Sequence, residues 1–183
     1  MRHLGAILVC FLTCAMAWPQ EYAPLHGETV LRLSVSGRGD IFVHLETTKA
    51  PKTCAHIIAL VQKGFYDGLK FYRVERNPRP FIAMIGDPGT RTKPLDDPTL
   101  GSGDSGHPVA YENTHLTHTE GTVSLATLPG DLDSGDSQFF FCLDNAHFLD
   151  GKDPVFGHVV AGIDIMRTLQ LGDVVKTAAV IKG

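Results

Sequence analysis

Residues 134–166 read SGDSQFFFCLDNAHFLDGKDPVFGHVVAGIDIM and contain the clearest structural signals in the chain. Two short apolar runs, 137–143 and 155–160, are separated by a segment rich in Asp, Asn, Gly and Pro. Short apolar runs bounded by turn-forming residues are typical of β-strands. A short helical pattern follows over 163–169. The stretch therefore predicts a strand, a turn-rich connection, a second strand and a short helix.

Similar strand signals recur on the N-terminal side of this stretch and once after it. They predict further strands over 28–35, 41–45, 70–74, 81–85, 121–127 and 174–181. One longer helix is predicted from Pro51 to just before Gly64, where apolar residues recur at helical spacing. Many short strands with only two helices indicate a mainly β chain that forms a closed or nearly closed antiparallel barrel.

Composition limits the class of protein. The chain has 183 residues, of which 43% are hydrophobic and 20% charged, and its formal net charge is −4. These values are ordinary for one soluble globular domain with a real core. Because the sequence has no basic cluster, nucleic-acid binding has no electrostatic support, and we expect no nucleic-acid partner.

The N-terminus has the features of a secretory signal peptide. A basic start at Arg2 precedes an apolar run over 4–16, which leads into an A-x-A cleavage motif. This pattern predicts a signal peptide that is cleaved near Ala17. The apolar run is too short to span a bilayer comfortably, and no other segment is long and apolar enough, so we expect no transmembrane segment.

Cleavage at this site divides the chain into a signal peptide over 1–17, a lead-in over 18–27 and one domain over 28–183. The protein is therefore expected to be exported, either to the periplasm or as a secreted protein. A bacterial periplasm is favoured because the sequence has no ER-retention signal and no Asn-x-Ser/Thr sequon. A lipoprotein anchored at Cys14 is the alternative, although the residues before Cys14 form a poor lipobox.

Two cysteines, Cys54 and Cys142, remain in the predicted mature chain. An oxidising compartment permits one disulfide between them, and two separate buried thiols fit the sequence at least as well. The sequence leaves both alternatives open, because a disulfide depends on the distance between the two residues in the fold.

One motif suggests a serine protease at first sight. GDSGHP, 103–108, resembles the segment that carries the nucleophile of chymotrypsin-like proteases, with His56 as the candidate base. Only 49 residues separate His56 from Ser105, which leaves no room for the two-barrel arrangement of such an enzyme. Gly, Asp and Ser are also common turn residues, so Ser105 is interpreted as a loop serine.

Two further patterns suggest metal binding. The segment 131–138 has the spacing of acidic residues in a calcium loop, but Cys142 stands where such a loop needs a glutamate. His115 and His118 lack a third ligand at zinc-like spacing and are interpreted as surface histidines. We therefore predict no metal site.

Several segments, taken in order, resemble the cyclophilin family of peptidyl-prolyl isomerases. They are APKTCAHIIALVQKGFYDGLKFYRV (50–74), FIAMIGDP (81–88), EGTVSLA (120–126) and the stretch over 134–166. The last is the most specific, because Ser-Gln-Phe-Phe, Phe-Leu-Asp-Gly-Lys and Val-Phe-Gly-x-Val occur together at the family's spacings. The resemblance implies a closed eight-stranded antiparallel barrel capped by two helices, and the signal peptide indicates a secreted or periplasmic bacterial branch.

The resemblance implies an enzyme, a peptidyl-prolyl cis–trans isomerase that assists the folding of exported proteins. Rotation about an X–Pro bond has a barrier of about 18–20 kcal/mol because the C–N bond has partial double-bond character. By resemblance, Arg73 donates a hydrogen bond to the prolyl nitrogen, which becomes basic only in the twisted transition state. The expected partners are proline-containing unfolded or partly folded polypeptides and cyclosporin-like ligands, bound by a monomer that needs no cofactor.

The same resemblance places a peptide-binding groove beside Arg73. The residues at the family's substrate-binding positions are Phe81, Met84, Ala126, Thr127, Gln138, Phe140, Phe148 and Leu149. Neighbouring strand residues face opposite sides of a sheet, so Phe139 and Phe141 are expected in the core if Phe140 lines the groove.

Some positions depart from the family pattern. Met84 stands where the family usually has a glutamine that orients the arginine, and methionine has no donor to offer. Asp153 stands where many members have His or Tyr, and three extra residues lie within 75–80. These departures support an alternative, a cyclophilin-like peptide-binding module or chaperone with weak or no catalysis.

Overall fold

The computed structural model describes residues 22–183, so the predicted signal peptide and the first part of the lead-in lie outside the described residues. The strands are β1 (Thr29–Val35), β2 (Gly39–Leu45), β3 (Arg73–Glu75), β4 (Ile82–Ile85), β5 (Thr122–Leu125), β6 (Phe139–Cys142), β7 (Val155–Ala161) and β8 (Val175–Lys182). The helices are α1 (Pro51–Gln62) and α2 (Ile163–Arg167), with 3₁₀ turns at Pro88–Arg91, Leu132–Ser134 and His147–Leu149.

All eight strands belong to one antiparallel sheet in the order β3-β4-β6-β5-β7-β2-β1-β8. The sheet curls into a half-barrel. Between the end strands β3 and β8, the residues over 22–183 form one isolated bridge, Lys70 to Val174, and no continuous ladder. The structure thus confirms a mainly β fold of eight antiparallel strands with few helices, and its ladders stop short of a closed ring.

Side-chain alternation in β6 separates two apolar clusters. Phe139 and Phe141 are fully buried in the main core inside the curled sheet, as their spacing predicts. Phe140 and Cys142 point to the opposite face and join a second, smaller cluster with Met84. Because β6 contributes side chains to both clusters, the packing of the core fixes the position and orientation of Phe140 on the outer face.

Helix α1 packs against β8, and a distant carboxylate caps its N-terminus. The N-cap position holds Ala50, whose side chain cannot accept a hydrogen bond. Glu112 accepts instead from the backbone N–H groups of Lys52 (2.9 Å) and Thr53 (2.7 Å). The carboxylate accepts from two of the N–H groups that have no partner within the first turn of a helix. Its negative charge also interacts favourably with the positive end of the helix dipole. Pro51, at the first helical turn, needs no N–H partner.

The two cysteines of the described chain are separate buried thiols. Cys54 is 1% exposed and Cys142 is completely buried, and neither forms a disulfide. Burial raises the pKa of Cys54 to about 12 and that of Cys142 to about 11, so both thiols stay protonated and unreactive. Within residues 22–183, no helix is long and apolar enough to cross a membrane.

Candidate active site

A groove of about 480 Å³ runs along the outer face of the sheet, beside β3, β4 and β6. Five of the residues predicted for the site line this groove: Arg73, Met84, Ala126, Thr127 and Gln138. Arg73 and Met84 lie directly opposite each other in the ladder of β3 and β4, and Met84 lies opposite Phe140 in the ladder of β4 and β6. The sheet register therefore aligns a cation, a thioether and an aromatic ring in one row.

The remaining predicted residues form an apolar patch that continues from the groove. Phe140 is 3% exposed, and Phe81 and Leu149 pack against its cluster. The rings of Phe81 and Phe148 lie 5.4 Å apart, and Phe148 is 56% exposed at the edge of the patch. Met84 and Ala126 belong to both the groove and the apolar cluster. The fold thus brings all nine predicted site residues onto one continuous surface.

Arg73 is held at the edge of this surface by an ion pair. Its Nε donates to Oε1 of Glu75 at 2.6 Å, and its Nη2 contacts the same oxygen. The two residues lie two positions apart on β3, so their side chains project from the same face of the strand. The Arg73 side chain is 50% exposed, which leaves part of its guanidinium open to the groove.

The Tyr72 side chain connects Met84 to Gln138 within the groove. Its hydroxyl lies 2.7 Å from Sδ of Met84 and also donates to Oε1 of Gln138. Burial raises the pKa of Tyr72 above its ordinary value, so the hydroxyl remains a donor at neutral pH. Gln138 is one of the predicted groove residues, and Tyr72, which was not among the predicted site residues, adds a polar contact.

The loop wall of the groove is tied to the sheet by two side chains. Nε2 of Gln138 donates to the carbonyl oxygens of Gly101 (2.9 Å) and Gly103 (2.8 Å). The carboxylate of Asp87 accepts from the N–H groups of the same two glycines, at 2.6 Å and 3.1 Å. Asp87 is 1% exposed, so these bonds lie in a largely water-free environment. Side-chain hydrogen bonds to its backbone thus order this loop.

A buried polar chain lies beneath Phe140. The ring of His118 stacks on that of Phe140 with centroids 6.0 Å apart. Nδ1 of His118 contacts Oδ1 of Asp150 at 2.8 Å, and Nε2 contacts Oγ of Ser124 at 3.0 Å. The interpretation of His118 as a surface histidine is wrong, because its side chain is completely buried. Ser124 is equally inaccessible, so the chain orients the ring beneath Phe140 and offers no nucleophile.

The model of the family described as "Cyclophilin type peptidyl-prolyl cis-trans isomerase/CLD" matches residues 30–182. The chain belongs to the cyclophilin family. This membership confirms the family that the sequence segments predict.

Relatives in other organisms agree with this assignment. A Helicobacter pylori protein named peptidyl-prolyl cis-trans isomerase is 31% identical over 147 residues, which cover 78% of this chain and 81% of that protein. A Cryptococcus neoformans protein, peptidyl-prolyl cis-trans isomerase-like 4, is 38% identical over 138 residues. That match covers 70% of this chain but spans only 27% of the fungal protein. The names of these relatives support the prediction that this cyclophilin is an isomerase.

Solved structures show the same fold. A Cryptosporidium parvum cyclophilin-type peptidyl-prolyl cis-trans isomerase aligns with a TM-score of 0.72 at 20% identity, covering 85% of this chain and 99% of that chain. The C. parvum protein has also been solved in the presence of the dipeptide Ala-Pro, and that structure aligns with a TM-score of 0.71. At this identity the likeness supports the fold of this cyclophilin and not its ligands.

Asp153, one of the departures from the family pattern, accepts a hydrogen bond from a backbone N–H group at the groove. Its Oδ1 accepts from N–H (2.9 Å) and Oγ1 (3.0 Å) of Thr127. The N–H of Ala126 donates to the carbonyl oxygen of Gln138 at 2.9 Å. The resemblance that places Ala126 and Thr127 at substrate-binding positions implies that a peptide pairs with their backbone. In this cyclophilin, such pairing has to use their carbonyl oxygens or displace Asp153.

The residues of the protease-like motif meet in the structure but in the wrong order. His56 Nε2 lies 3.0 Å from Oδ1 of Asp136, and Oγ of Ser105 donates to that same oxygen. The backbone N–H of His107 donates to the other carboxylate oxygen at 2.8 Å. A nucleophilic triad needs the histidine between the serine and the acid. Here the acid lies between the other two, so Asp136 anchors the loop to α1 and Ser105 is a loop serine.

The Asp136 anchor is expected to make stability depend on pH. Burial alone would raise the pKa of Asp136, but hydrogen bonds from Ser105, His107 and His56 outweigh burial and lower it. A lowered pKa in the folded state stabilises the fold fully above the unfolded value of about 3.9, and this contribution disappears as pH falls through the folded value. We expect Asp136→Asn to lower the unfolding free energy at pH 7 by about 1–3 kcal/mol.

Urea unfolding at pH 7 and at pH 3 tests this expectation. The native protein should lose more stability than Asp136→Asn between the two pH values, because the variant has already lost the carboxylate. Asp96→Asn, which removes an exposed carboxylate, is the control and should behave like the native protein. Equal losses in the native protein and Asp136→Asn would contradict the assigned role of Asp136.

Proposed function

We propose that this cyclophilin is an exported peptidyl-prolyl cis–trans isomerase that catalyses rotation about X–Pro bonds in the groove beside Arg73. The observation that carries the proposal is the row formed by Arg73, Met84 and Phe140 across three hydrogen-bonded strands. A guanidinium at one end of a rigid apolar patch matches the two chemical needs of the reaction, a grip on the proline ring and a donor near its nitrogen.

The proposed mechanism is differential binding of the twisted amide. In the planar ground state, resonance delocalises the lone pair of the prolyl nitrogen, which is then a poor acceptor. As the bond twists, resonance is lost and the nitrogen becomes a better acceptor for an N–H of Arg73. The contact strengthens only in the transition state, so it lowers the barrier without tightening substrate binding equally. Phe140, Phe81 and Leu149 hold the proline ring while the preceding carbonyl swings.

The proposed substrates are proline-containing segments of unfolded or partly folded polypeptides. The Ala-Pro dipeptide named with the C. parvum structure supports this class, since it contains an X–Pro bond. The groove lies on the outer face of the sheet and is bounded by residues of the sheet and of the loop that contains Gly101, which suits an extended chain segment. Cyclosporin-like ligands are proposed for the same groove, and the working unit is proposed to be a monomer that needs no cofactor.

The proposed site of action follows from the N-terminal sequence. A signal peptide over 1–17, a lead-in over 18–27 and a cyclophilin domain over 28–183 are proposed, with the periplasm as the destination and a secreted bacterial branch as the lineage. The family match over 30–182 supports the start of the domain. Closure of the half-barrel belongs to the same proposal, supported by hydrogen bonds such as that from Phe71 N–H to the Asp173 carbonyl (2.9 Å).

The alternative function is peptide binding without catalysis. Met84 favours it, because a thioether cannot replace the donor and acceptor of an amide beside Arg73. A binding module would hold proline-containing segments in the same groove but would not change the rate of their isomerisation.

One experiment separates the two functions. The cis-to-trans relaxation of an Ala-Pro peptide is followed in cold buffer with the mature protein, and binding of the same peptide is measured by NMR titration. Acceleration that scales with protein concentration supports the isomerase. Binding of the peptide by the folded protein without any acceleration would overturn the isomerase and support the binding module. An Ala-Ala peptide serves as the control for binding that does not depend on proline.

A further inference from the structure

We propose that Glu75 is the residue that positions Arg73 for catalysis, a task that the side chain at position 84 cannot perform in this chain. The inference rests on the proposed isomerase function. It assigns to Glu75 an indirect role, since its carboxylate contacts Arg73 and not the substrate.

The register of β3 explains why Glu75 is placed for this task. Arg73 and Glu75 share one face of a three-residue strand, opposite Met84 and Ile82 of β4. Ile82 and Met84 belong to the apolar cluster and offer no strong acceptor to a guanidinium. Among the described residues, Glu75 supplies the one hydrogen-bond acceptor that Arg73 contacts.

The geometry of the pair fixes which edge of the guanidinium is used. Oε1 of Glu75 receives Nε of Arg73 at 2.6 Å and also contacts Nη2. The carboxylate thus occupies the edge formed by Nε and Nη2, which leaves Nη1 and the outer N–H of Nη2 free. A guanidinium is planar and rigid, so holding one edge sets the direction of the other.

Neighbouring arginines do not compete for Glu75. Arg76 donates to the carbonyl oxygen of Leu169 at 2.9 Å, and Arg79 pairs with Asp144 at 3.4 Å. Each arginine of this edge therefore has its own partner. The pair of Arg73 and Glu75 is half-exposed, at 50% and 38%, and exposed pairs add little to folding stability. Its expected consequence is the orientation of a side chain that would otherwise sample several rotamers.

The test compares Glu75→Ala, Glu75→Gln and Met84→Gln in the full mature chain. We expect Glu75→Ala to lower kcat about tenfold with little change in KM, since misplacement of a transition-state donor affects the chemical step. Glu75→Gln should retain most of the activity, because its amide oxygen can accept from Nε. In the Glu75→Ala background, Met84→Gln should restore activity, because its amide offers Arg73 a new acceptor, and this effect should exceed its effect in the native background, giving a non-additive cycle.

A matched control removes a similar pair elsewhere. Glu120 and Arg167 form a two-point ion pair whose exposures, 38% and 49%, are close to those of Glu75 and Arg73. Glu120→Ala should therefore cost similar stability and leave kcat unchanged. An unchanged kcat in Glu75→Ala, or additive effects of Glu75→Ala and Met84→Gln, would overturn the assignment.

A second readout does not depend on activity. The ¹⁵Nε–¹Hε resonance of Arg73 should be sharp in the native protein and in Glu75→Gln. In Glu75→Ala its chemical shift should be averaged over several rotamers, and its proton should exchange rapidly with water. An unchanged Arg73 resonance in Glu75→Ala would overturn the positioning role whether or not the protein is an isomerase. If the native protein lacks isomerase activity while this resonance responds as expected, the proposed function fails and the ordering of Arg73 by Glu75 stands.

Discussion

Replacing Arg73 with alanine is expected to reduce the catalysed rate of cis-to-trans relaxation by about 100- to 1,000-fold, the range found when one transition-state donor is removed from an enzyme. Arg73 is the charged donor at the end of the apolar patch, opposite Met84 in the sheet. Without it, the twisted prolyl nitrogen has no donor from this edge. Because Arg73 is half-exposed, the unfolding free energy should change by less than about 1 kcal/mol.

Two companion variants make the Arg73 experiment specific. Arg73→Lys keeps the charge but loses the planar fork, so it should recover only a small part of the rate. Arg79→Ala removes another exposed arginine from the neighbouring loop, where it pairs with Asp144, and should leave the rate unchanged. The readout is the relaxation rate of an X–Pro peptide at several protein concentrations. Full activity in a folded Arg73→Ala protein would contradict the proposed mechanism.

Replacing Phe140 with alanine is expected to lower the unfolding free energy by about 3–5 kcal/mol, the usual range for truncation of a buried phenylalanine. The Phe140 side chain is 3% exposed, packs against Met84 and stacks on the buried ring of His118. Its loss leaves a cavity at the centre of the apolar cluster. The same substitution should weaken binding of proline-containing peptides, because the ring is the main wall proposed for the proline.

Phe148→Ala is the comparison for Phe140→Ala. The Phe148 ring is 56% exposed and contacts Phe81 at the rim, so its removal should cost much less stability while still reducing peptide binding. Urea unfolding gives the stability of both variants, and NMR titration with an Ala-Pro peptide gives their affinities. A Phe140→Ala protein as stable as Phe148→Ala would show that the ring does not support the groove in the way described.

The strand pattern of the fold was accessible from sequence because each strand carries its own apolar run. The predicted strand over 155–160 corresponds to β7, and the predicted helix after Pro51 corresponds to α1. The third predicted strand, 70–74, was less accurate, since β3 covers Arg73–Glu75. Lys70 bridges to Val174 near β8, whereas Arg73 pairs with β4, so the chain changes partners within the predicted strand. Local patterns cannot reveal such a change of partner.

The positions of the site residues were predictable from family segments, but their polar partners were not. Asp153 reaches Thr127 across 26 residues, and His56 reaches Asp136 across 80. Neither separation in sequence follows from the period of a helix or a strand, so no local pattern indicates these contacts. The pairing of Arg73 with Glu75 was easier to predict from the sequence, because side chains two positions apart on a strand project from the same face.

The two walls of the groove differ in how they are maintained. The N–H groups of Gly101 and Gly103 donate to Asp87, and their carbonyl oxygens accept from Gln138. In a strand, the backbone of a neighbouring strand would make these hydrogen bonds. Segments held by few contacts open at a lower free energy than the central strands of a sheet. The loop wall therefore depends on individual side chains, which are Asp87 and Gln138 at the two glycines and Asp136 at the adjoining Ser105 and His107, and not on a strand ladder. We therefore expect this wall to open locally at a lower free energy than the strands that carry Arg73 and Phe140.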